Sequence, residues 1–241
     1  MSYEVELIAL AVVLFLYDST VLLYANEAIF TCTRKQEWNV LTSLPGVLIG
    51  GRRVCFLPPF ALHSPSARLR WNLYATEQVA GDVAWSQELP KLSSAAPWTI
   101  NAGIGLFVLL PMGLFTPLGE FAVIPAVCLI YGSIIAALFV IRWNCKLPAL
   151  SRAKFAGFAF ECLACPPFGV NLVRRCSLMS QVDEALPTAA ERLLDAAQLK
   201  ILGTHCQAVI DEELLQIGDD SPHRTALEQQ RLQFGTWIKN A

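Results

Sequence analysis

The chain has 241 residues, of which 54 % are hydrophobic and only 16 % are charged, and its mean hydropathy is +0.46. Soluble domains carry about 25 % charged residues, so this composition predicts a membrane protein and excludes intrinsic disorder and a coiled coil. The formal net charge of −2 argues against a broad surface for nucleic acid or another polyanion.

Three apolar segments predict transmembrane helices, because about 20 mostly apolar residues form a helix that crosses a bilayer. They are residues 5–24, 99–118 and 121–143, and Asp18 interrupts the first of them. The last two segments are nearly adjacent in sequence, which predicts a tight helical hairpin over residues 99–143. The flank before the first segment is acidic, so we expect a retained anchor rather than a cleaved signal peptide.

Residues 26–97, between the first two segments, predict a small antiparallel β-domain. Three β-prone runs cover Trp38–Leu41, residues 47–49 and Arg52–Leu57, and Gly50-Gly51 provides a two-residue hairpin turn in which positive φ costs little. Further signals are the alternating run at residues 68–73, the breaks at Pro45-Gly46 and Pro58-Pro59, and an irregular return expected over residues 76–97.

A fourth apolar stretch, Phe155–Val173, has basic residues at both ends and Pro166-Pro167 in its interior. A spanning helix would place basic residues on both sides of the bilayer, against the positive-inside tendency. Residues 154–180 therefore predict a re-entrant or interfacial amphipathic segment, in which Pro166 opens a helix. Arg174 and Arg175 are then expected to face solvent or lipid headgroups.

The remaining residues, 181–241, predict a helical cytoplasmic tail. Apolar residues recur at helical spacing from Ala190 to Ile217, a break is expected at residues 219–222, and a last helix at Thr225–Trp237. None of these helices has enough apolar surface to be stable alone. We expect them to pack on the β-domain, on each other or on a partner.

The basic residues near the apolar segments predict the orientation, because cytoplasmic flanks carry an excess of Lys and Arg. This places the N-terminus outside and the C-terminus in the cytoplasm of a multi-pass protein of the bacterial inner-membrane type. The residues concerned are Arg34, Lys35, Lys91, Arg142, Lys146, Arg152 and Lys154.

Asp18 is the sharpest single feature, because a carboxylate within a span costs roughly 2.5–3.5 kcal/mol on insertion scales. One interpretation is a residue of a proton or ion pathway. The other is a structural carboxylate, since Asp18 lies about six residues from the end of the predicted helix and can reach the interface or a neighbouring helix. The sequence shows no second charge within the spans, which favours the structural interpretation.

Cys162 and Cys165 form a C-x-x-C pair, flanked by Cys145 and Cys176. Four thiolates suit zinc or an iron–sulfur cluster, but a structural zinc site needs two such pairs. We expect buried, apolar cysteines and neither metal nor cofactor. Glu161, beside this pair, is either an acid of raised pKa or an ion-pair partner of Arg174 or Arg175.

Other polar residues give weaker signals. Arg52 and Arg53, like Arg174 and Arg175, are expected to contact lipid headgroups. Small residues in the 99–143 hairpin predict close helix packing. They are Gly103, Gly105, Gly113, Gly132, Ser133, Ala136 and Ala137. The three histidines, His63, His205 and His223, have no metal-ligand spacing to one another.

The sequence contains no Walker loop, G-x-G-x-x-G, H-E-x-x-H or G-x-S-x-G motif, and we identify no catalytic residue. These observations predict an α+β membrane protein that acts as a non-enzymatic accessory or scaffolding subunit. It would contact lipids and bind a partner protein or further copies of itself, and no nucleic acid. Two alternatives stay open: an oligomeric ion- or proton-coupled transport component using Asp18, and a redox or metal protein using Cys162 and Cys165.

Overall fold

The computed structural model confirms a mixed α+β fold, 68 % helical, with two small antiparallel sheets. It divides into two compact units. Unit 1 comprises Met1–Thr20, Leu57–Pro65 and Ser86–Gln181, and unit 2 comprises Val21–Phe56, Ser66–Trp85 and Val182–Ala241. The structure describes residues 3–33, 35–43, 48–58, 61, 64–74, 83–116, 119–145, 151–180, 182–217, 221 and 223–239.

Unit 1 is helical. Its helices are α1 (Tyr3–Asp18), α2 (Trp85–Glu88, whose first residue belongs to unit 2), α3 (Ala96–Ile104), α4 (Leu110–Phe115), α5 (Glu120–Asn144), α6 (Arg152–Ala164), α7 (Pro166–Val170) and α8 (Leu172–Leu178). A 3₁₀ segment, Leu89–Ala95, joins α2 to α3, and a π-helical turn, Gly105–Leu109, joins α3 to α4.

The first predicted span is shorter in the structure than the sequence indicates. The prediction of a helix over residues 5–24 is wrong at its end, because α1 stops at Asp18 and Thr20–Leu23 form a β-strand. The hydroxyls of Ser19 and Thr20 bond back to carbonyls of the last helical turn, and the following residues pair within a sheet instead of extending the helix. Sixteen helical residues cover about 24 Å, less than the roughly 30 Å of a hydrocarbon core.

Within the described residues, two helical segments are long and apolar enough to cross a membrane: Trp85–Phe115 and Phe121–Asn144. Only 28 % and 39 % of their most apolar 18-residue windows are buried, whereas the core helix of a soluble protein is mostly buried. The expected irregular return over residues 76–97 is therefore wrong from Trp85 onward, and residues 75–82 lie outside the described part. Because α1 is too short to be counted, the described residues contain two candidate spans rather than the three predicted.

These two segments form the predicted helical hairpin, and two glycines bring them together. A Cβ on Gly105 would lie 2.8 Å from Cγ1 of Ile130, and a Cβ on Gly113 would lie 2.9 Å from Cγ2 of Val123. Small residues let helix backbones approach each other in this way. Gly132, which the sequence placed in the same group, faces open space instead.

The segment 154–180 falls in three short helices, α6, α7 and α8. Ser151 caps α6 by accepting a hydrogen bond from the Lys154 amide at 3.3 Å. The helix ends at Ala164 because Cys165 precedes a proline and adopts an extended conformation. Pro166 opens α7 as predicted, and Asn171 then separates α7 from α8.

Unit 2 contains the strands and the C-terminal helices. Its strands are β1 (Thr20–Leu23, whose first residue belongs to unit 1), β2 (Glu27–Cys32), β3 (Trp38–Leu41), β4 (Leu48–Ile49), β5 (Arg52–Phe56) and β6 (Ser66–Arg70). They form two sheets, in the orders β1-β5-β4 and β3-β2-β6. Strands β3, β4 and β5 fall where the sequence predicts them, and Gly50 and Gly51 turn β4 into β5 with positive φ angles of 57° and 75°. Pro45-Gly46 and Pro59 lie outside the described residues.

The tail packs on the second sheet and on itself. Its helices are α9 (Leu186–Leu193), α10 (Ala196–Gln216) and α11 (Arg224–Lys239). Asp195 caps α10 by accepting a hydrogen bond from the Gln198 amide at 2.8 Å, which is why the predicted continuous helix breaks there. The side-chain oxygen of Gln198 in turn accepts a hydrogen bond from the amide of Val40, on the edge strand β3, at 2.9 Å. Apart from Ser221, the expected break at residues 219–222 lies outside the described part.

The core of unit 2 is aromatic and closely packed. Trp71 is 1 % exposed and Phe234 is fully buried, and their rings meet edge to face with centroids 6.2 Å apart. Glu27, 1 % exposed, is neutralised within this unit by Arg68, whose Nε lies 2.9 Å from Oε2 of the carboxylate. The interior of unit 2 is thus largely apolar, and the buried Glu27 carboxylate within it is paired with a cation.

Candidate functional site

Five polar side chains of unit 1 come together at the end of α1. They are Asp18 from α1, Glu161 from α6, Asn171 between α7 and α8, and Arg174 and Arg175 from α8, and we call them the polar cluster. The charged members are separated by about 140 residues or more from Asp18 in the sequence, yet the helical fold of unit 1 places them beside it. Asp18 therefore has charged neighbours, and they come from outside the three predicted spans.

Arg175 is the centre of the polar cluster. Its Nη2 lies 2.7 Å from Oε2 of Glu161, and its Nε lies 3.5 Å from Oδ1 of Asp18. The guanidinium also stacks over Phe168, with its carbon 4.5 Å from the ring centroid. Of the two interpretations of Glu161, the structure favours the ion pair. Arg175 thus contacts Asp18, Glu161 and Phe168 within the chain. Its expected contact with lipid headgroups stays a prediction.

Arg174 does not face solvent, which corrects the sequence-based expectation. It is 2 % exposed, and its Nη2 donates a hydrogen bond to the carbonyl oxygen of Pro58. Burial lowers the pKa of Arg174 to about 10, and the nearby negative charge of Asp18 opposes this change. The amphipathic pattern predicted that Arg174 lies on an exposed face. However, α8 has only seven residues, and five of them, Arg174 included, are buried.

Asn171 ties the cluster to α1. It is fully buried, and its Nδ2 donates a hydrogen bond to the carbonyl oxygen of Phe15 at 3.3 Å. Phe15 also packs edge to face on Phe107, with centroids 5.1 Å apart. Asn171 was not singled out from the sequence; its only signal was an amide within an apolar stretch.

Four buried polar atoms of the cluster have no hydrogen-bond partner within the described structure. Two are donors and two are acceptors, and each belongs to a different side chain. Buried polar groups in folded proteins are nearly always hydrogen-bonded. The atoms are Arg174 Nη1, Arg175 Nη1, Asp18 Oδ2 and Asn171 Oδ1.

The cysteines do not form a metal centre in the described part of the chain, where no three His, Cys, Asp or Glu residues could together hold a metal ion. Cys145, Cys162 and Cys176 are buried and Cys165 is half-buried, all as free thiols. Burial raises the pKa of Cys162 and of Cys176 to about 12. Metal ligation and thiol redox chemistry require thiolates, and these surroundings favour the neutral thiol.

In unit 2, Arg52 and Arg53 lie on opposite faces of β5. Arg53 forms an ion pair with Glu212 of α10. Arg52 donates a hydrogen bond to the Tyr24 hydroxyl at 2.8 Å and lies 4.6 Å above the Tyr24 ring. The contact of Arg52 and Arg53 with lipid headgroups stays a prediction. Arg53 already has the Glu212 carboxylate as its ion-pair partner.

The outer face of the sheet β1-β5-β4 is apolar and exposed. Because side chains alternate along a strand, Arg52 and Phe56 share one face of β5, and Ile49 stands opposite Arg52 on β4. Ile49, Phe56 and Tyr24 are 56 %, 42 % and 45 % exposed. We call Tyr24, Ile49, Arg52 and Phe56 the outer sheet face.

The described histidines lie in unit 2. His205 of α10 is half-buried, its Nε2 has no partner in the described structure, and burial, aided by Arg53, lowers its pKa to about 4. His223 is exposed and lies against Tyr74, with ring centroids 4.6 Å apart. His63 lies outside the described residues.

No family model, no curated protein and no solved structure matches this chain.

Proposed function

We propose that this protein is a non-enzymatic accessory or scaffolding subunit that unit 1 anchors in a membrane and that binds a partner protein through unit 2. The observation that carries the proposal is the distribution of exposed apolar side chains. In unit 1 they cover most of α1 and the outer face of α5, whereas in unit 2 they are fewer. A soluble protein rarely exposes the first kind of surface.

The helices α1 and α5 supply most of the argument for a bilayer. None of the 16 residues of α1 is buried, although nearly all are apolar. On α5, Ile124, Ile135 and Phe139 are 64 %, 56 % and 65 % exposed. Helices that expose this much apolar surface are stable when lipid surrounds them. The multi-pass inner-membrane topology, with the C-terminus in the cytoplasm, belongs to this proposal.

The outer sheet face supplies the argument for a partner. Tyrosine, phenylalanine and arginine are enriched at protein interfaces, where large side chains supply contact area and a polar tip. Tyr24, Phe56 and Arg52 bring these residue types together on one exposed surface. Accessory subunits need such a surface outside the bilayer, and no catalytic group is required of it.

Membrane anchoring is tested by fractionation of cells that express the full chain. We expect the protein in the membrane pellet after a wash with alkaline carbonate, and its release by detergent alone. Recovery of the chain in the carbonate supernatant would contradict the anchoring part of the proposal.

Partner binding is tested by crosslinking and copurification from detergent-solubilised membranes. An Ile49→Ser/Phe56→Ser variant should lose the partner that the parent retains. The matched control is Leu215→Ser/Leu232→Ser, which removes two side chains of unit 2 that are 89 % and 73 % exposed on α10 and α11. A parent that purifies as a lone monomer, with no crosslinked species, would contradict the scaffolding role.

A further inference from the structure

We propose that the outer sheet face binds a short segment of a partner protein in which one carboxylate, flanked by apolar side chains, pairs with Arg52. The inference rests on the proposed function and deepens it, because it names the chemistry of the partner. Its basis is the unpaired charge of Arg52, the way in which Tyr24 holds that side chain, and the size of the face.

Arg52 differs from the other arginines of unit 2. Six of the seven arginines that the structure describes in this unit have a carboxylate within ion-pair distance, and Arg52 has none among the described residues. An acidic group from outside the chain would give Arg52 the kind of partner that the others have. The paired arginines are Arg53, Arg68, Arg70, Arg192, Arg224 and Arg231.

Tyr24 holds the Arg52 side chain in place and leaves donors available. Nη2 of Arg52 donates to the Tyr24 hydroxyl, and the guanidinium lies over the Tyr24 ring. The other two guanidinium nitrogens have no hydrogen-bond partner in the described residues and are accessible to solvent. A carboxylate suits such donors, and because the side chain is already positioned, less conformational entropy is lost on binding.

The neighbours of Arg52 on this face are apolar. Ile49 stands opposite Arg52 on β4, and Phe56 lies further along β5, both with exposed side chains. An ion pair in open solvent contributes little to binding. Apolar side chains beside the carboxylate would cover Ile49 and Phe56 and keep water away from the ion pair, which strengthens it. The segment must therefore carry both kinds of group.

The size of the outer sheet face fits a short segment. Its sheet has three strands, which makes the face about 10 Å wide, and the four residues from Arg52 to Phe56 extend about 13 Å. About two turns of a helix, or about four extended residues, cover this length. Interfaces between folded proteins use roughly 20–30 residues on each side, far more than this face offers.

A single cation favours a carboxylate over an anionic membrane surface. Segments that bind anionic lipids carry clusters of about four to eight Lys and Arg residues, whereas Arg52 is the one charged member of the outer sheet face. Arg53 lies on the opposite face of β5 and is paired with Glu212. One positive charge matches one carboxylate of a peptide.

Peptide selection on the full chain in detergent micelles tests the proposal. A phage library of random short peptides is selected on the parent, and peptides that also bind Ile49→Ser/Phe56→Ser are removed. We expect the remaining peptides to be enriched in Asp or Glu flanked by apolar residues. On Arg52→Glu the preference should change to Lys or Arg. The matched control, Lys200→Glu, reverses an exposed charge on α10 of the same unit and should keep the acidic preference.

The strength of the ion pair is measured on a selected peptide by fluorescence anisotropy. Replacement of its Asp or Glu by the corresponding amide should weaken binding to the parent about tenfold and leave binding to Arg52→Gln unchanged. Arg52→Gln also replaces Arg52→Glu in the selection if that variant does not fold, and the acidic preference should then be lost without being reversed.

Three results would overturn the inference. They are selected peptides without an acidic preference, an acidic preference that survives in Arg52→Glu, and displacement of the peptide by added phosphatidylglycerol but not by phosphatidylcholine, which would assign Arg52 to an anionic membrane surface. The selection needs no native partner, so it is independent of the copurification that tests the scaffolding role. A native partner that Arg52→Glu retains and Ile49→Ser/Phe56→Ser loses would contradict this inference and leave the proposed function in place.

Discussion

Units 1 and 2 are built alike inside and differ outside. In both, a glycine allows two helices to touch: Gly105 lies against α5 in unit 1, and in unit 2 a Cβ on Gly203 would lie 3.1 Å from the carbonyl oxygen of Phe234. The exposed surfaces differ, because α1 and the outer face of α5 show many apolar side chains and α10 and α11 show few. The difference teaches that the exposed side chains of a unit indicate whether lipid or water surrounds it. The packing of its interior does not indicate this.

The largest expected effect tests the interior of unit 2. Phe234→Ala removes a fully buried ring that contacts Trp71 and Trp237, and we expect it to lower the free energy of unfolding by about 3–5 kcal/mol. The comparison variant is Phe139→Ala in unit 1, whose ring is 65 % exposed and whose loss should cost far less. Denaturant titrations of both proteins in the same detergent measure the two values, and similar losses would remove the distinction between buried and lipid-facing rings.

The next prediction places the same charge on the surface of each unit. Ile135→Asp, near the middle of α5, should make the free energy of membrane insertion less favourable by about 2.5–3.5 kcal/mol, because a carboxylate is unstable at the bilayer centre. Leu232→Asp on α11, at a site 73 % exposed, should change stability by no more than about 0.5 kcal/mol. The fraction of each variant in carbonate-washed membranes gives the result. An Ile135→Asp protein that inserts as well as the parent would show that α5 does not face lipid.

A smaller effect tests the packing that the units share. Gly105→Ala places a Cβ 2.8 Å from Ile130 Cγ1, so we expect a destabilisation of about 1–3 kcal/mol. Gly132→Ala, on the facing helix, meets no atom within 4 Å and should be neutral or stabilising by up to about 1 kcal/mol. Thermal unfolding in detergent separates the two. A neutral Gly105→Ala would mean that the hairpin does not depend on this close approach.

The smallest effect is a dependence on pH that belongs to unit 2. The pKa of His205 is about 4 in the folded chain, below the ordinary value of about 6.5, so the unfolded chain binds the proton more readily. The stability that neutral His205 contributes is complete above about pH 6.5 and is lost as the pH falls towards 4. Because the side chain is only half-buried, we expect about 1–2 kcal/mol.

His205→Gln should flatten this part of the pH profile, and His223→Gln, which changes an exposed histidine, should leave it as in the parent. Unfolding free energies between pH 7 and pH 4.5 provide the comparison. A slope that survives in His205→Gln would assign the pH dependence to other groups.

Local patterns predicted the local structure. Gly50-Gly51 between two β-prone runs indicated the β4–β5 hairpin, because only glycine adopts two successive positive φ angles at low cost. Pro166 indicated the start of α7 for the same kind of reason: proline fits the first turn of a helix. Both signals act within a few residues of the chain.

Features that depend on distant residues were not predictable. The apolar run after Asp18 suits a helix or a strand equally well, and its pairing in the sheet with β5, some thirty residues later, decides for the strand. The polar cluster is a stronger case, since Asp18 meets Arg175 only after α6, α7 and α8 have packed on the rest of unit 1. Hydrophobic periodicity carries no information on such encounters.

The π-helical turn at Gly105–Leu109 has a consequence for insertions and deletions. Gly105 and Gly113 are eight residues apart, about 80° beyond two turns of a regular α-helix. The amide of Leu110 bonds to the carbonyl of Gly105, so the turn absorbs one residue and the pair behaves as if seven apart, close to the 7.2 residues of two full turns. A chain lacking one residue between these glycines would present the same two contacts to α5 on a regular helix. Deletion of Val108 should therefore be tolerated better than deletion of one residue from the regular part of α5.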